Sequence, residues 1–371
     1  MITSAIFPAR YIQGADALGE LAKHANILGS NALIVLDPGI AEWMRPRLDT
    51  ILGNELVHAF FDFGGESTEA EMQRAAGLLV EAGHDVVIGV GGGKAIDTAK
   101  GAAYFTPGVR MIAVPTIAAS DAPCSKNAVV YTPEHTVDRD IHGRANPDLV
   151  LVDTAVVAAA PARYLSAGIA DALATWLEAE SAFVTRTINF TGYASTFTAH
   201  AVARLCYDTL LEYAPLALAH CDDGLVTPAL EHVVEAATLM STIGFESGGL
   251  GAAHGFHQGI AEWPETHHLL HGEKVAFGVL ASLFLTDKDS ATVETIYAFC
   301  HSVRLPLTLA DLGLEHYDDA KLMVAVERMT RSGECTFNEP IAYGEADYLA
   351  AMKAADAYGR AWRARQPSAN R

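Results

Sequence analysis

Three groups of residues in this sequence are of the right type and spacing to do chemistry. Gly89-Val90-Gly91-Gly92-Gly93-Lys94 follows a β-rich run and leads into Ala95-Ile96-Asp97-Thr98-Ala99-Lys100, which has helical character. Glycines without a Cβ let an anion approach the backbone, and the free N–H groups and dipole of a first helical turn attract it. Asp171 stands in Ile169-Ala170-Asp171-Ala172-Leu173-Ala174, an apolar helical stretch where an unpaired carboxylate is expensive. His254, His257, His267, His268 and His271 then crowd into an 18-residue window. Imidazole nitrogen and carboxylate oxygen are donors that Zn²⁺ accepts, and three protein ligands leave a fourth position for a substrate oxygen. Residue type alone does not choose among these histidines, since a single histidine is more often a hydrogen-bonded core or surface residue than a ligand.

Two further carboxylates sit where strands are expected to end. Asp37, after Asn31-Ala32-Leu33-Ile34-Val35-Leu36, could accept hydrogen bonds from a ribose diol, or it could form an Asx turn in Asp-Pro-Gly. Asp121, in Val114-Pro115-Thr116-Ile117-Ala118-Ala119-Ser120-Asp121-Ala122-Pro123-Cys124-Ser125, could bind a substrate hydroxyl or serve as an ordinary turn former. The glycine-rich segment is neither of two common phosphate loops. A Walker loop wants Ser or Thr after Gly-Lys and finds Ala95, while the G-x-G-x-x-G pattern meets Lys94 where its third glycine belongs.

These groups need elements to hold them. Asn31 to Leu36, Leu56 to Phe63, Asp85 to Val90 and Met111 to Pro115 are short apolar runs between turn residues, as strands covered on both faces must be. Thr68 to Ala82 has helical spacing with acids in its first turn, so βαβ units and a parallel sheet are expected. From about Pro161 the segments Ala162 to Phe183, Thr198 to Tyr213 and Pro228 to Gly244 carry apolar residues at three and four spacing. Two domains are therefore expected, residues 1–160 α/β and 161–371 helical, with a ligand in the cleft between them.

Composition narrows the partners. With 45 acidic and 25 basic residues, the formal charge of -20 repels phosphodiester backbones and anionic lipids, so neither nucleic acid nor membrane is an expected partner. No stretch approaches the ~18 apolar residues of a membrane span, and the N-terminus lacks the pattern of a signal peptide. Five cysteines without a C-x-x-C pair fit a reducing cytoplasm rather than a disulfide framework.

Six blocks in order, GVGGGKAIDTAK, VPTIAASDAPCS, NPDLVLVDT, GIADALATWLEAESAF, GFESGGLGAAHGFH and HHLLHGEKVAFGVL, resemble those of the glycerol dehydrogenases. That group shares a family with the iron-dependent alcohol dehydrogenases and is similar in fold to dehydroquinate synthase. The resemblance implies a Rossmann-like NAD-binding α/β domain followed by an all-α metal-binding domain. It implies zinc held by Asp171, His254 and His271, with no ligand role for His257, His267 or His268. It places Gly92, Gly93 and Lys94 against the NAD pyrophosphate, with Asp97 in the first turn of the same helix. Asp37 would take the adenosine ribose, Thr116, Ser125 and Tyr131 would line the remaining dinucleotide, and Asp121 would contact the polyol.

The implied reaction is NAD-dependent oxidation of the secondary hydroxyl of glycerol or a vicinal diol, by a cytoplasmic homo-oligomer acting on a small polyol. The iron-dependent branch has a histidine four residues after the aspartate, and here that residue is Thr175, which favours zinc with an open site. Ala119 stands where family members commonly have Ser, and Lys126-Asn127 replaces a more apolar pair. Another polyol or alcohol dehydrogenase of the family is the nearest alternative. A dehydroquinate-synthase-like or glycerol-phosphate enzyme would need a cationic cluster for phosphate, and the metal-bearing blocks offer Lys274 but no Arg cluster. A non-catalytic metal- or NAD-binding protein is a third alternative.

The Asp37 assignment carries a prediction about the cofactor. A carboxylate facing the ribose would repel the 2′-phosphate of NADP, and the nearest downstream arginine is Arg45. Asp37→Ser should lower kcat/KM with NAD and raise it with NADP, narrowing their ratio by about tenfold, or ~1.4 kcal/mol. An unchanged ratio would leave Asp37 as a turn former only.

Overall fold

Uninterrupted Val, Ile and Leu runs are stable strands only when both faces are covered, and the computed structural model, which describes residues 2–53, 55–133 and 136–366, covers them with helices. Strands β1 (Tyr11–Gly14), β2 (Asn31–Leu36), β3 (Val57–Phe61), β4 (Val86–Gly91), β5 (Arg110–Pro115) and β8 (Leu149–Asp153) form one parallel sheet in the order β1-β8-β5-β4-β2-β3. β6 (Asn127–Tyr131) and β7 (Val137–His142) make a separate antiparallel hairpin. Helices α1 (Leu21–Leu28), α2 (Ala41–Leu52), α3 (Glu69–Glu81), α4 (Gly93–Phe105) and α5 (Thr154–Ala158) belong to this part of the chain.

β4 is buried along its whole length, whereas β3 lies at the sheet edge and exposes Val57. The expectation that every apolar run is covered on both faces therefore fails for β3, whose alternate residues Val57 and Ala59 share a face and are exposed. Thr68 caps α3 through its hydroxyl, which accepts the Glu71 N–H. Sequence patterning missed β1, β8 and the hairpin: β1 is four residues long, and β7 begins Val-Asp-Arg-Asp, exposed on both faces.

The helical remainder comprises α6 (Ala162–Thr185), α7 (Phe197–Asp222), α8 (Pro228–Glu235), α9 (Ser241–Gly248), α10 (Ala252–Ile260), α11 (His271–Leu285), α12 (Ser290–Ser302), α13 (Asp319–Met329) and α14 (Glu345–Arg365). A parallel sheet and a helical region are thus both present, as the sequence leads one to expect. By its contacts the chain divides into two units. One contains Ile6–Ala162 and His220–Thr242; the other contains the N-terminal residues to Ala5, Arg163–Ala219 and the chain from Ile243 onward.

A single cut near residue 160 therefore leaves out the return of His220–Thr242 to the sheet-bearing unit. Polar contacts hold that return: the Gln13 amide donates to the Glu231 carboxylate at 2.7 Å, Thr154 donates to the same carboxylate at 2.6 Å, and Tyr11 and Thr238 hydroxyls meet at 2.8 Å. No helix among the described residues is long and apolar enough to cross a membrane.

Glycines let three helices of the second unit approach closely. A Cβ on Gly272 in α11 would overlap the Ala167 carbonyl of α6, and one on Gly278 would overlap the Ala253 carbonyl of α10. Beside Gly272, Glu273 accepts two hydrogen bonds from Arg163 of α6, at 2.6 and 2.7 Å. These contacts fix where α11 begins, and its first residue is His271. Gly272→Ala should cost ~1–3 kcal/mol by overpacking, seen as a lowered Tm, and should also weaken metal binding. A variant with unchanged Tm and metal affinity would show that the α6–α11 approach does not depend on the missing Cβ.

Candidate functional site

Asp171 is 2% exposed and lies in the middle of α6. Its Oδ1 is 3.0 Å from Nε2 of His271 and 3.3 Å from Nε2 of His254, so α6, α10 and α11 each contribute one group. One donor atom from each residue falls within 4.8 Å of the others. Bonds of 2.0–2.1 Å to a tetrahedral ion put neighbouring ligand atoms ~3.3 Å apart, close to the two carboxylate–imidazole separations. The donor set, one carboxylate oxygen and two imidazole nitrogens, fits zinc.

The surroundings of His254 fix its orientation. Glu178, buried and two helical turns beyond Asp171, takes the His254 backbone N–H on one oxygen and Nδ1 on the other, both at 2.7 Å. With Nδ1 donating to Glu178, Nε2 is the nitrogen that faces Asp171, and once it gives up its proton its lone pair is the one available to a metal. Burial by itself would raise the Asp171 pKa, but the imidazoles of His271 and His254 outweigh it and hold the group well below the carboxylate range. Burial works against a charged His254, yet Glu178 and Asp171 raise its pKa well above the ordinary value. Glu339, also buried, accepts the Ala252 N–H at 2.8 Å at the first residue of α10 and the Ser181 hydroxyl at 2.6 Å.

Of the other histidines, His267 and His268 are exposed. The His257 ring lies edge-on to that of His271 with centroids 4.2 Å apart, and its pKa is driven well down by burial, then by the charges of His271 and Lys274. Thr175 is buried, with its methyl so close to the Gly244 backbone that a Cβ on Gly244 would overlap it. The position one turn after Asp171 is therefore filled by helix packing.

In the sheet-bearing unit the glycine-rich turn joins β4 to α4. Gly91 has φ +146°, which L side chains rarely adopt, and a Cβ there would come 2.5 Å from the Asp37 Cβ. Gly92 is the N-cap of α4, and a Cβ on Gly93 would meet nothing within 4 Å. At Gly93 the first turn of α4 thus faces open space, while beside Gly92 stands Ile117; the first N–H groups of the helix have no partner within it. Lys94 beside it donates to Glu66 at 2.7 Å and lies 5.4 Å from the centre of the Tyr131 ring. Tyr131 has its pKa pushed up to about 12, by burial first and then by Asp97 and Glu66.

Asp37 follows β2, next to this turn, and its carboxylate accepts the Gly39 N–H at 2.8 Å. The Asx turn is present in the same place where a ribose-binding carboxylate would stand. Thr116 follows β5, buried, with its N–H bonded to the Gly91 carbonyl at 3.1 Å. Asp97 and Ser125 are turned inward around Lys100. That ammonium donates to the Ala122 and Asn127 carbonyls at 2.6 and 2.7 Å and lies 3.3 Å from Asp97 Oδ1 and 3.4 Å from Ser125 Oγ. Asp97 also accepts the Val129 N–H at 3.1 Å, and burial raises its pKa with Lys100 opposing. Asp121 Oδ2 accepts the Ser241 hydroxyl at 2.7 Å.

Sequence reading brought forward the three residues that meet at Asp171 but missed Glu178, Glu66, Lys100, Glu339 and Ser241. For Glu178 a signal existed, because a second acid seven residues after Asp171 repeats on the same helix face. The others are joined to their partners by long-range contacts that no local spacing reveals.

A sheet with a glycine-rich turn and helices converging on a carboxylate and two imidazoles define a known class. The model of the iron-containing alcohol dehydrogenases matches residues 8–154. A glycerol dehydrogenase from Thermotoga maritima is 48% identical over 97% of this chain and 98% of its own, and one from Escherichia coli is 42% identical over 95% and 96%. The crystal structure of glycerol dehydrogenase from Schizosaccharomyces pombe matches with a TM-score of 0.94 at 33% identity, covering 100% of this chain and 94% of that one. The chain belongs to the iron-containing alcohol dehydrogenase family and is an oxidoreductase of that class.

The bond from His254 to Glu178 makes a prediction separable from catalysis. Glu178→Gln keeps the shape but removes the charge that orients the imidazole, so zinc affinity should fall by about 10–100-fold. Competition against a chromophoric chelator reads this directly. Affinity equal to the parent's would mean that Glu178 serves only to anchor α10.

Proposed function

We propose that the chain is an NAD-dependent, zinc-containing dehydrogenase that oxidises the secondary hydroxyl of glycerol or a related vicinal diol to a hydroxyketone. The observation that carries this reading is the meeting of Asp171, His254 and His271 with one donor atom from each within 4.8 Å of the others and the carboxylate 3.0 and 3.3 Å from the two imidazoles. It stands on a chain 48% identical to a named glycerol dehydrogenase across nearly its full length. When bound, zinc supplies Lewis acidity that lowers the pKa of a coordinated hydroxyl, and NAD supplies the hydride acceptor.

The residues of the chain do the rest. Asp171, His254 and His271 would hold the metal, and Glu178, by taking the Nδ1 proton of His254 in a hydrogen bond, leaves Nε2 as the ligating nitrogen. The first turn of α4, with Gly92, Gly93 and Lys94, receives the pyrophosphate, for which Lys94 exchanges its partner Glu66. Asp37 accepts the ribose hydroxyls, while Thr116 and Tyr131 border the same site. Asp97 and Ser125 contribute through the Lys100 cluster, which holds the turn that carries Asp121. Asp121 accepts a hydrogen bond from the hydroxyl next to the reacting carbon, which restricts the substrate's orientation.

Zinc is favoured over iron because residue 175 is a buried threonine packed on Gly244 and offers no fourth imidazole. Five free cysteines suit the reducing cytoplasm.

Removal of metal by chelation should abolish oxidation of glycerol with NAD at raised pH, and added Zn²⁺ should restore it. His254→Ala or His271→Ala should abolish it permanently, whereas His267→Ala, at an exposed position, should change it little. Full activity in protein shown by elemental analysis to be metal-free would refute the proposal.

A further inference from the structure

Asp121 starts the short turn Ala122–Cys124, where an aspartate usually caps the following N–H groups. It makes no such side-chain cap. The turn is held by other groups: Lys100 donates to the Ala122 carbonyl, the Asn146 amide donates to the Cys124 carbonyl at 2.9 Å, and the Asp121 carbonyl accepts the Cys124 N–H at 3.2 Å. The Asp121 carboxylate points instead to Ser241, whose hydroxyl donates to Oδ2 at 2.7 Å. The next residue, Thr242, donates to the Asp121 backbone carbonyl at 2.6 Å. Ser241 and Thr242 are both fully buried, so water does not compete for their hydroxyls; that of Thr242 lies between the Asp121 and Thr238 carbonyls and shares its one proton between them.

What aims these two hydroxyls is a π-helical turn, Ala236–Met240, between α8 and α9. The Ser241 N–H reaches back to the Ala236 carbonyl, five residues earlier. One extra residue in a turn rotates the following helix by ~100° relative to an unbroken α-helix. The sequence expectation of a single helix from Pro228 to Gly244 therefore misplaces Ser241 and Thr242 by that rotation. Thr238 stabilises the irregular turn, donating to Val234 at 2.7 Å and meeting Tyr11 at 2.8 Å, and Thr242 also reaches the Thr238 carbonyl at 2.7 Å. Such turns are uncommon and are frequently found at functional sites.

We propose that Ser241 and Thr242, aimed by the π turn at 236–240, are positioning residues that fix the Asp121 carboxylate for the substrate hydroxyl adjacent to the reacting carbon, and so determine preference for vicinal diols over simple secondary alcohols. This rests on the role given to Asp121 under the proposed function. A carboxylate held by a charge-assisted hydrogen bond at its side chain and another hydrogen bond at its backbone keeps one rotamer, so an incoming hydroxyl meets a preset acceptor. A substrate without that second hydroxyl gains nothing from the arrangement.

The test compares glycerol with 2-propanol in the zinc-loaded enzyme with NAD. Ser241→Ala should raise KM for glycerol and lower the glycerol to 2-propanol ratio of kcat/KM by about tenfold. The NAD dissociation constant and kcat/KM for 2-propanol should remain at parent values, and Ser241→Thr, which keeps the hydroxyl, should recover much of the ratio. Thr242→Val has the same shape and should lower the ratio in the same direction, so it carries the test should Ser241→Ala not fold. Equal losses on both substrates, or an unchanged ratio in folded variants of an active parent, would overturn the positioning role alone. A parent that does not oxidise glycerol would overturn the proposed function and this inference together.

Discussion

A carboxylate buried in the middle of an apolar helix is the constraint around which the helical unit is arranged. Asp171 has Ala170, Ala172, Leu173 and Ala174 as its neighbours in α6 and is almost wholly removed from water. An ionised group there is tolerated only when opposite charge and hydrogen-bond donors surround it. Two imidazoles supply both, and the resulting pKa lies far below that of an ordinary aspartate in spite of the burial. Placing them requires α10 and α11 to come close to α6, and Gly272 and Gly278 permit the backbone contacts that bring them there. Glu178 then completes the arrangement from the far side of His254.

The sheet-bearing unit solves an inverse problem with the same physics. Lys100 is a buried cation, and it is compensated by one carboxylate and two backbone carbonyls within hydrogen-bond distance. Those carbonyls belong to the turn after Asp121 and to β6, so neutralising the lysine also fixes the loop beyond β5. The glycine-rich turn is consequently bordered by rigid chain on the Thr116 side and by Asp37 on the other. Anion binding at α4 in a protein of formal charge -20 needs such a local device, because the overall field opposes it.

Much of this was legible in the sequence where a local signal corresponds to a local structure. The buried runs of β2, β4 and β5, the capped α3, the long α6 and the glycine-rich turn fall where hydrophobic spacing and turn residues put them. The metal-binding candidates stood out because Asp171 is out of place in its helix, while the selection of His254 and His271 over their neighbours came from resemblance. Legibility ended where long-range contacts decide. The edge position of β3, the return of His220–Thr242 and the π turn before Ser241 leave no mark in residue spacing. Asp97 and Ser125 show the same limit, since helical position alone did not reveal that both face Lys100.

The central claim is that one carboxylate and two imidazoles, drawn together by helix packing, hold a single zinc ion with a position open to substrate. X-ray absorption at the zinc edge on the zinc-loaded protein tests this most directly. The account predicts one zinc per chain in a shell of about four nitrogen or oxygen atoms at ~2.0–2.2 Å. The multiple-scattering signature should correspond to two imidazoles and should be altered in Asp171→Asn. A shell containing sulfur, a six-oxygen shell, or a spectrum unaffected by Asp171→Asn would contradict it.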